Sequence, residues 1–294
     1  MKCENTLASL LKKGKSVLEE SGIEEAGLDA WLLLEYETGK NRAFYLAHPD
    51  EEVEKKQAGE YLQLIRQRSL HVPVQQLTHQ AFFMGYEFWV NEHVLIPRQD
   101  TECLVEEALR CLKGMEHPRI LDMCTGSGCI LASLLLELPE SSGVGADISC
   151  EALEVARRNL HTYGLEDRAV LVQSDLFANC FFDMGRDGTT ELFDMIISNP
   201  PYIATAEIDR LTEEVRRHDP RIALDGKEDG LYFYRAITAQ AERFLKPGGC
   251  LLYEIGYDQG ETVPELMRQS GFAEVRKQKD LAGCDRVVCG RKRM

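Results

Sequence analysis

Phe193-Asp194-Met195-Ile196-Ile197-Ser198-Asn199-Pro200-Pro201-Tyr202 begins as an apolar, β-branched run and stops at a pair of prolines. Such a run predicts a buried strand. Proline cannot donate a ladder hydrogen bond, and Pro200 pushes Asn199 out of the helical region, so the strand ends in a stiff corner. In an open α/β sheet, ligands bind at that C-terminal edge. Asn199 offers one carbonyl acceptor and two amide donors. With the carbonyls of the Pro200-Pro201 corner it suits a substrate presenting a planar NH2 group, and Tyr202 adds a flat wall. A proline-capped strand end leading into an ordinary loop is the competing reading, and the surrounding chain has to decide.

Working upstream, Arg119-Ile120-Leu121-Asp122 predicts a strand, Met123-Cys124-Thr125-Gly126-Ser127-Gly128 a glycine loop, and Cys129 to Leu138 a helix. A second strand, Gly143 to Ala146, ends in Asp147, about 20 positions beyond the loop, which is the spacing of a nucleotide-binding unit. A helix follows from Cys150 to Thr162, then a third strand from Ala169 to Gln173 ending at Ser174-Asp175-Leu176-Phe177. Residues 178–191 are polar and predict a loop. A nicotinamide dinucleotide site wants a third glycine that this loop lacks. Asp122 suits the methionine ammonium of S-adenosylmethionine, Asp147 the ribose hydroxyls, and Asp175 the adenine amino group.

Downstream, Gly230 to Leu245 predicts a helix, Lys246-Pro247-Gly248-Gly249 a turn, and Cys250 to Ile255 a fifth strand. A helix from Glu261 to Gln269 precedes a closing hairpin, Ala273 to Lys279 with Arg286 to Gly290. Alternating strands and helices imply a parallel, doubly wound α/β sheet of seven strands. Before it, residues 5–70 predict a small helical bundle: Leu7, Leu10, Leu11, Val17 and Leu18 share one face, Trp31 to Leu34 mark a second segment, and a third runs from Glu51 to Leu70. Phe82 to Val90 predicts a connecting β-hairpin around Gly85, and Asp100 an N-cap for a helix reaching Leu112. The expected domains are residues 1–72, a connector 73–97, and 98–294.

Composition narrows the partners. A hydrophobic share of 44% beside 28% charged residues fits a globular chain. No apolar run is long enough for a bilayer and Met1-Lys2-Cys3-Glu4 opens no signal peptide, so the expectation is a cytoplasmic protein with no membrane partner. A net charge of −15 disfavours phosphate backbones, and no direct nucleic-acid binding is expected. The ten cysteines form no Cys-x-x-Cys pair and the seven histidines show no ligand spacing with them, so neither a metal nor a structural disulfide is expected.

Taken together, Asp122-x-x-Thr125-Gly126-Ser127-Gly128, Asp147-Ile148-Ser149, Ser174-Asp175-Leu176-Phe177 and Ser198-Asn199-Pro200-Pro201-Tyr202 resemble class I S-adenosylmethionine-dependent methyltransferases acting on planar nitrogen. More narrowly, the chain resembles the peptide chain release factor glutamine methyltransferases (the HemK/PrmC family). Leu95-Ile96-Pro97-Arg98-Gln99-Asp100-Thr101-Glu102, Ala223-Leu224-Asp225-Gly226 and Leu252-Tyr253-Glu254-Ile255-Gly256 support this. The resemblance implies methylation of the glutamine amide nitrogen (N5) in the Gly-Gly-Gln tripeptide of bacterial class I release factors, with S-adenosylmethionine as cofactor and S-adenosylhomocysteine as product. It implies Asn199 and Pro200, with Pro201 beside them, as holders of the glutamine amide, and Tyr202 packed on it. Arg98, Cys124, Thr125, Gly126, Ser127, Gly128, Asp147, Asp175, Leu176 and Asn199 fall to the cofactor site. Cys124 stands where the family usually has glycine, Gln99 where it has proline, and Asp219 where glutamate is common. The rival functions are an amino-methyltransferase acting on adenine N6 or guanine N2, which wants a basic groove, a nicotinamide dehydrogenase, and a non-catalytic S-adenosylmethionine-binding adaptor, which has no need of Asn199.

Overall fold

The computed structural model describes residues 5–182 and 192–294 and divides into two compact units, residues 1–80 with 212–218, and residues 81–211 with 219–294. Cys3, and residues 183–191 of the expected loop, lie outside the described residues.

The first unit is helical, with α1 (Leu7–Glu20), α2 (Ala26–Thr38), α3 (Arg42–Ala47), α4 (Lys55–Arg68) and α5 (Val74–Thr78). Thr6 Oγ1 accepts the Ser9 N–H and so satisfies a free donor at the start of α1. Leu7, Leu10, Leu18, Leu33, Leu34 and Ile65 are buried around Tyr61, whose hydroxyl donates to the Ala30 carbonyl at 3.3 Å. Gly14 makes this packing possible, because a Cβ there would lie 2.0 Å from the Tyr61 hydroxyl. Arg68 is buried and holds Asp29 at 2.7 Å and Glu214 at 2.8 Å, which ties residues 212–218 into the unit. Two departures from the periodicity are plain. The third segment starts at Lys55, since Glu52 bridges in extended form to Thr6, and α3 and α5 are too short for a period to reveal.

In the second unit, β1 (Ala81–Phe83) and β2 (Tyr86–Phe88) form the expected hairpin. Next comes α6 (Glu102–Leu112), entered through a 3-10 turn at Gln99–Thr101. Asp100 is therefore not its N-cap: the position falls to Thr101, and Asp100 lies 3.2 Å from Arg286 instead. The chain continues through β3 (Arg119–Met123), α7 (Cys129–Glu137), β4 (Ser142–Asp147), α8 (Cys150–Thr162), β5 (Ala169–Gln173) and β6 (Phe193–Ser198). It closes with α9 (Glu213–His218, in the helical unit), α10 (Arg221–Leu224), α11 (Tyr232–Phe244), β7 (Leu245–Glu254), α12 (Thr262–Gln269), β8 (Ala273–Lys279) and β9 (Asp285–Arg291).

Seven strands join in the order β5-β4-β3-β6-β7-β9-β8, parallel as far as β7, with β9 and β8 antiparallel at the edge. Successive residues of one strand point to opposite faces. Met195 and Ile197 pack with α6 and α7, whereas Ile196 packs with α11 and α12, so the sheet is buried on both sides. The expected turn at Lys246–Gly249 is absorbed into β7. Its residues bulge out of the ladder, because Phe193 pairs with Leu245 and Met195 already with Cys250. Chain order reverses between β3 and β6, and the crevice at such a switch point is where this architecture binds ligands.

Candidate functional site

The ends of β3, β4, β5 and β6 surround a cavity of about 270 Å³. From the glycine loop, Cys124, Thr125, Gly126 and Ser127 line it; so do Asp147, Asp175, Leu176 and Arg98. From the strand-end corner, Asn199 and Pro201 line it as well. The two motifs, more than seventy residues apart in sequence, thus open on one space. Asp122, Gly128, Pro200 and Tyr202 stand behind that lining. The far wall comes from His93 to Pro97 and from Ile222, Ala223, Lys227, Tyr232 and Phe233, most of which carry no pattern that sequence reasoning could weigh.

The loop's shape follows from its backbone. Gly126 and Gly128 sit at φ +55° and +76°, where a side chain is strained. Gly128 also allows close packing on α8, since a Cβ would lie 3.1 Å from the Ala156 Cβ. Cys124 adopts φ +62° and accepts the same strain with a Cβ present. Burial pushes its thiol well above the ordinary range, so it is a filler and not a nucleophile. Asp147 braces the loop by accepting the Gly126 N–H at 2.9 Å and the Ser149 N–H at 3.0 Å. Asp122 accepts the Thr125 hydroxyl at 2.6 Å through Oδ2, while its fully buried Oδ1 has no partner. Burial pushes that carboxyl up to about 7, against the pull of the Thr125 bond.

Around the corner, Ser198 Oγ donates to the Met123 carbonyl at 2.6 Å and locks the end of β6 to that of β3. Asn199 Nδ2 donates to Thr101 Oγ1 at 3.4 Å. The Tyr202 backbone is clamped: Gln259 Nε2 donates to its carbonyl at 3.1 Å, and Gly230 approaches so closely that a Cβ would lie 2.3 Å from that oxygen. Its hydroxyl donates to Glu254 at 3.4 Å. Glu254, at the end of β7, is buried with Oε2 unpartnered; burial raises it to about 7, opposed by the Thr101 hydroxyl and the Arg286 charge. Arg98 donates to the buried Asp219 at 2.7 Å, joining the segment before α6 to the one before α10 over the cavity. Thr101, Glu254 and Gln259 are residues to which sequence reasoning gave no role. The only signal was a glutamate closing an apolar strand at Leu252-Tyr253-Glu254.

With this geometry in place, comparison with known proteins is informative. Residues 9–78 match the family described as PrmC N-terminal domain, and residues 101–221 the one described as Methyltransferase small domain. The release factor glutamine methyltransferase of Caulobacter vibrioides is 40% identical over 285 residues, covering 97% of this chain and 96% of its own. That of Clostridium acetobutylicum is 38% identical over 278 residues, 95% of each. Among solved structures, the hMettl16 catalytic domain in complex with MAT2A 3′UTR hairpin 6 superposes with a TM-score of 0.55 at 13% identity, over 81% of this chain and 82% of that one. That last likeness is one of fold alone.

Proposed function

The chain belongs to the release factor glutamine methyltransferase family, and from that premise we propose that it methylates the side-chain amide nitrogen of the glutamine in the Gly-Gly-Gln tripeptide of bacterial class I release factors. The observation that carries this reading is that Asn199 and Pro201 face the same cavity as Gly126, Asp147 and Asp175. A planar-nitrogen corner and a nucleotide pocket then share one reaction space. The net charge of −15 speaks against a nucleic-acid acceptor. None of the described helices is long and apolar enough to cross a membrane, which is compatible with work in the cytoplasm beside the translation machinery.

The residues fit S-adenosylmethionine. Asp122, just behind the lining, keeps a buried carboxylate oxygen unsatisfied beside the loop, an acceptor that suits a cationic ammonium drawn in past Thr125, and the bare backbone of Gly126 allows close approach. Asp147 would hold the ribose and Asp175, with Leu176, the adenine. When bound, the cofactor supplies an electrophilic sulfonium methyl group. The protein's own work is on the acceptor. An amide nitrogen is a poor nucleophile because its lone pair is delocalised. With Nδ2 of Asn199 turned toward Thr101, its Oδ1 is left to accept one N–H of the substrate, and the Pro200 carbonyl accepts the other. Both acceptors stabilise positive charge developing on nitrogen, and Tyr202 fixes the plane of the amide. Neutral Tyr202, its hydroxyl pushed up by burial and the Glu254 charge, acts by contact alone.

The deciding experiment is transfer of labelled methyl from S-adenosylmethionine to a purified release factor, beside a variant whose Gly-Gly-Gln glutamine is alanine. Label on the unaltered factor alone supports the reading. Equal label on both would place the acceptor elsewhere.

A further inference from the structure

Outside the lining of the methyl-transfer cavity, three of the cysteines converge. Cys111 lies on α6, Cys250 on β7 and Cys289 on β9. The antiparallel register pairs Leu252 with Cys289 and Cys250 with Arg291, so the two strand cysteines are diagonal neighbours on one face, and Cys111 comes down on them from the helix. All three are buried, and their sulfurs lie within 4.8 Å of one another, with Cys111 and Cys289 at 3.7 Å. One helical turn before Cys111, the buried Glu107 carboxylate places Oε1 3.7 Å from the Cys111 sulfur.

A cluster of thiols serving only as apolar filler needs no buried acid. This one has Glu107, held by Arg276 through Nε at 3.1 Å and Nη2 at 2.6 Å, and by Arg110 at 2.5 Å. Arg276 Nη2 also reaches the Cys111 sulfur at 3.2 Å. Metal–sulfur bonds of about 2.3 Å in a tetrahedron set sulfurs about 3.8 Å apart and a carboxylate oxygen about 3.5 Å from each sulfur. The 3.7 Å Cys111–Cys289 edge matches the sulfur–sulfur value and the remaining sulfur spacings need a contraction of about 1 Å or less, whereas Glu107 stands beside Cys111 and outside the compact set of three sulfurs. Charge agrees. Three thiolates around a dication leave one negative charge, which Arg276, 3.2 Å from the Cys111 sulfur, offsets while it also holds Glu107. A cavity of about 200 Å³ lined by Glu107, Arg276, Val287 and Cys289 gives an approach, and it shares no lining residue with the methyl-transfer cavity.

We propose that Cys111, Cys250 and Cys289 bind one thiophilic divalent cation of the zinc class, its fourth position left to water with Glu107 beside it, fastening α6 to the antiparallel edge of the sheet. Binding releases the three thiol protons, and Arg276 and Arg110 hold the carboxylate in place as hydrogen-bonded supports.

The test is titration of the reduced full-length protein with Co2+, followed by displacement with Zn2+. The expected result is one equivalent, with cobalt–thiolate charge-transfer absorption and the visible bands of a tetrahedral ion, together with a rise in Tm. Cys111→Ala, a small change on a helix, should weaken binding by at least about 100-fold and abolish the Tm shift. A Cys150→Ser/Cys284→Ser variant, which removes exposed thiols, should change neither. In the unaltered protein, Zn2+ should also slow alkylation of Cys111, Cys250 and Cys289, mapped by mass spectrometry, so the test survives a variant that fails to fold. Absence of a thiolate band, a band that persists in folded Cys111→Ala, or protection of other cysteines only would overturn the proposal. So would formation of a Cys111–Cys289 disulfide under mild oxidant in protein that takes up no metal.

Discussion

Gly230→Ala probes whether the Tyr202 clamp positions the acceptor corner. At φ +72° an added Cβ costs about 1–2 kcal/mol in backbone strain alone. It would also sit 2.3 Å from the Tyr202 carbonyl oxygen and 3.0 Å from Gln259 Nε2, the group that holds that same oxygen. Overpacking of this kind costs about 1–3 kcal/mol, so the loss of stability should be about 2–5 kcal/mol, read by urea unfolding. Relief requires the carbonyl to move by roughly 1 Å, and Tyr202 follows directly on Pro200-Pro201. A displacement of that size at a positioning group costs about 100-fold in kcat. Gly126, Asp147 and Asp175 belong to other strands, so the Kd for S-adenosylmethionine, measured by calorimetry, should stay within about threefold. Gly226→Ala, with no positive φ but a Cβ 2.8 Å from the Tyr202 backbone, should reproduce the kinetic defect with less destabilisation. A folded Gly230→Ala enzyme with unchanged kcat would refute the clamp. A Kd that rises in step with the kcat loss would show that corner and cofactor pocket are not separately held.

Asn199→Ala should lower kcat on release factor by about 100- to 1,000-fold while leaving cofactor affinity nearly intact, since it removes an acceptor needed only as charge develops; near-normal single-turnover rates would sink that role. Asp147→Ala should weaken cofactor binding at least about 10-fold, because it removes both the ribose partner and the brace on Gly126 and Ser149, and unchanged calorimetry would contradict this. Glu254 titrates near 7 in the folded chain against an ordinary 4.5, so the folded state holds the proton more tightly: this stabilisation is complete below pH 4.5 and disappears as pH rises through 7. Unfolding free energies of Glu254→Gln should therefore fall less steeply across that window than those of the unaltered protein, and parallel curves would count against it. Leu28, Leu32 and Tyr36 lie exposed at four-residue spacing on α2, and if the helical unit docks the release factor, Leu32→Asp with Tyr36→Asp should raise KM for the factor without moving cofactor Kd.

How much of this was legible depends on which signal each feature carries. The first four strands of the sheet were readable because each is a short apolar run at or just beyond whose end stands a residue of distinct chemistry: Asp122, Asp147, Asp175 and Asn199. Local rules reach that far. They failed where a longer-range contact overrides local preference. Lys246-Pro247-Gly248-Gly249 looks like a turn, yet it runs in the strand as a bulge because β6 offers pairing on both sides of it. Asp100 looks like a cap, yet its charge is taken by Arg286 from the far end of the chain. Thr101 and Glu254 escaped for the same reason, since nothing within a few residues of either says that Thr101 reaches Asn199 or that Glu254 reaches Tyr202. The three clustered cysteines are the extreme case, because only the order of strands brings them together.

Several unfavourable local features of the fold lie at the cavity or just behind its lining. Among the described residues, four buried side-chain polar atoms lack partners, and two of them, Asp122 Oδ1 and Glu254 Oε2, belong to acids at the C-terminal ends of β3 and β7. Cys124 and Leu176, with backbones at φ +62° and +51°, line the same space. Each of these costs stability in the free protein, on the order of 1–3 kcal/mol apiece. A chain selected for stability alone would place glycine at 124 and an apolar residue at 122. The proposed cofactor gives Asp122 a reason to be there: a carboxyl already desolvated and held by Thr125 would meet a cationic group reaching past the lining with little reorganisation.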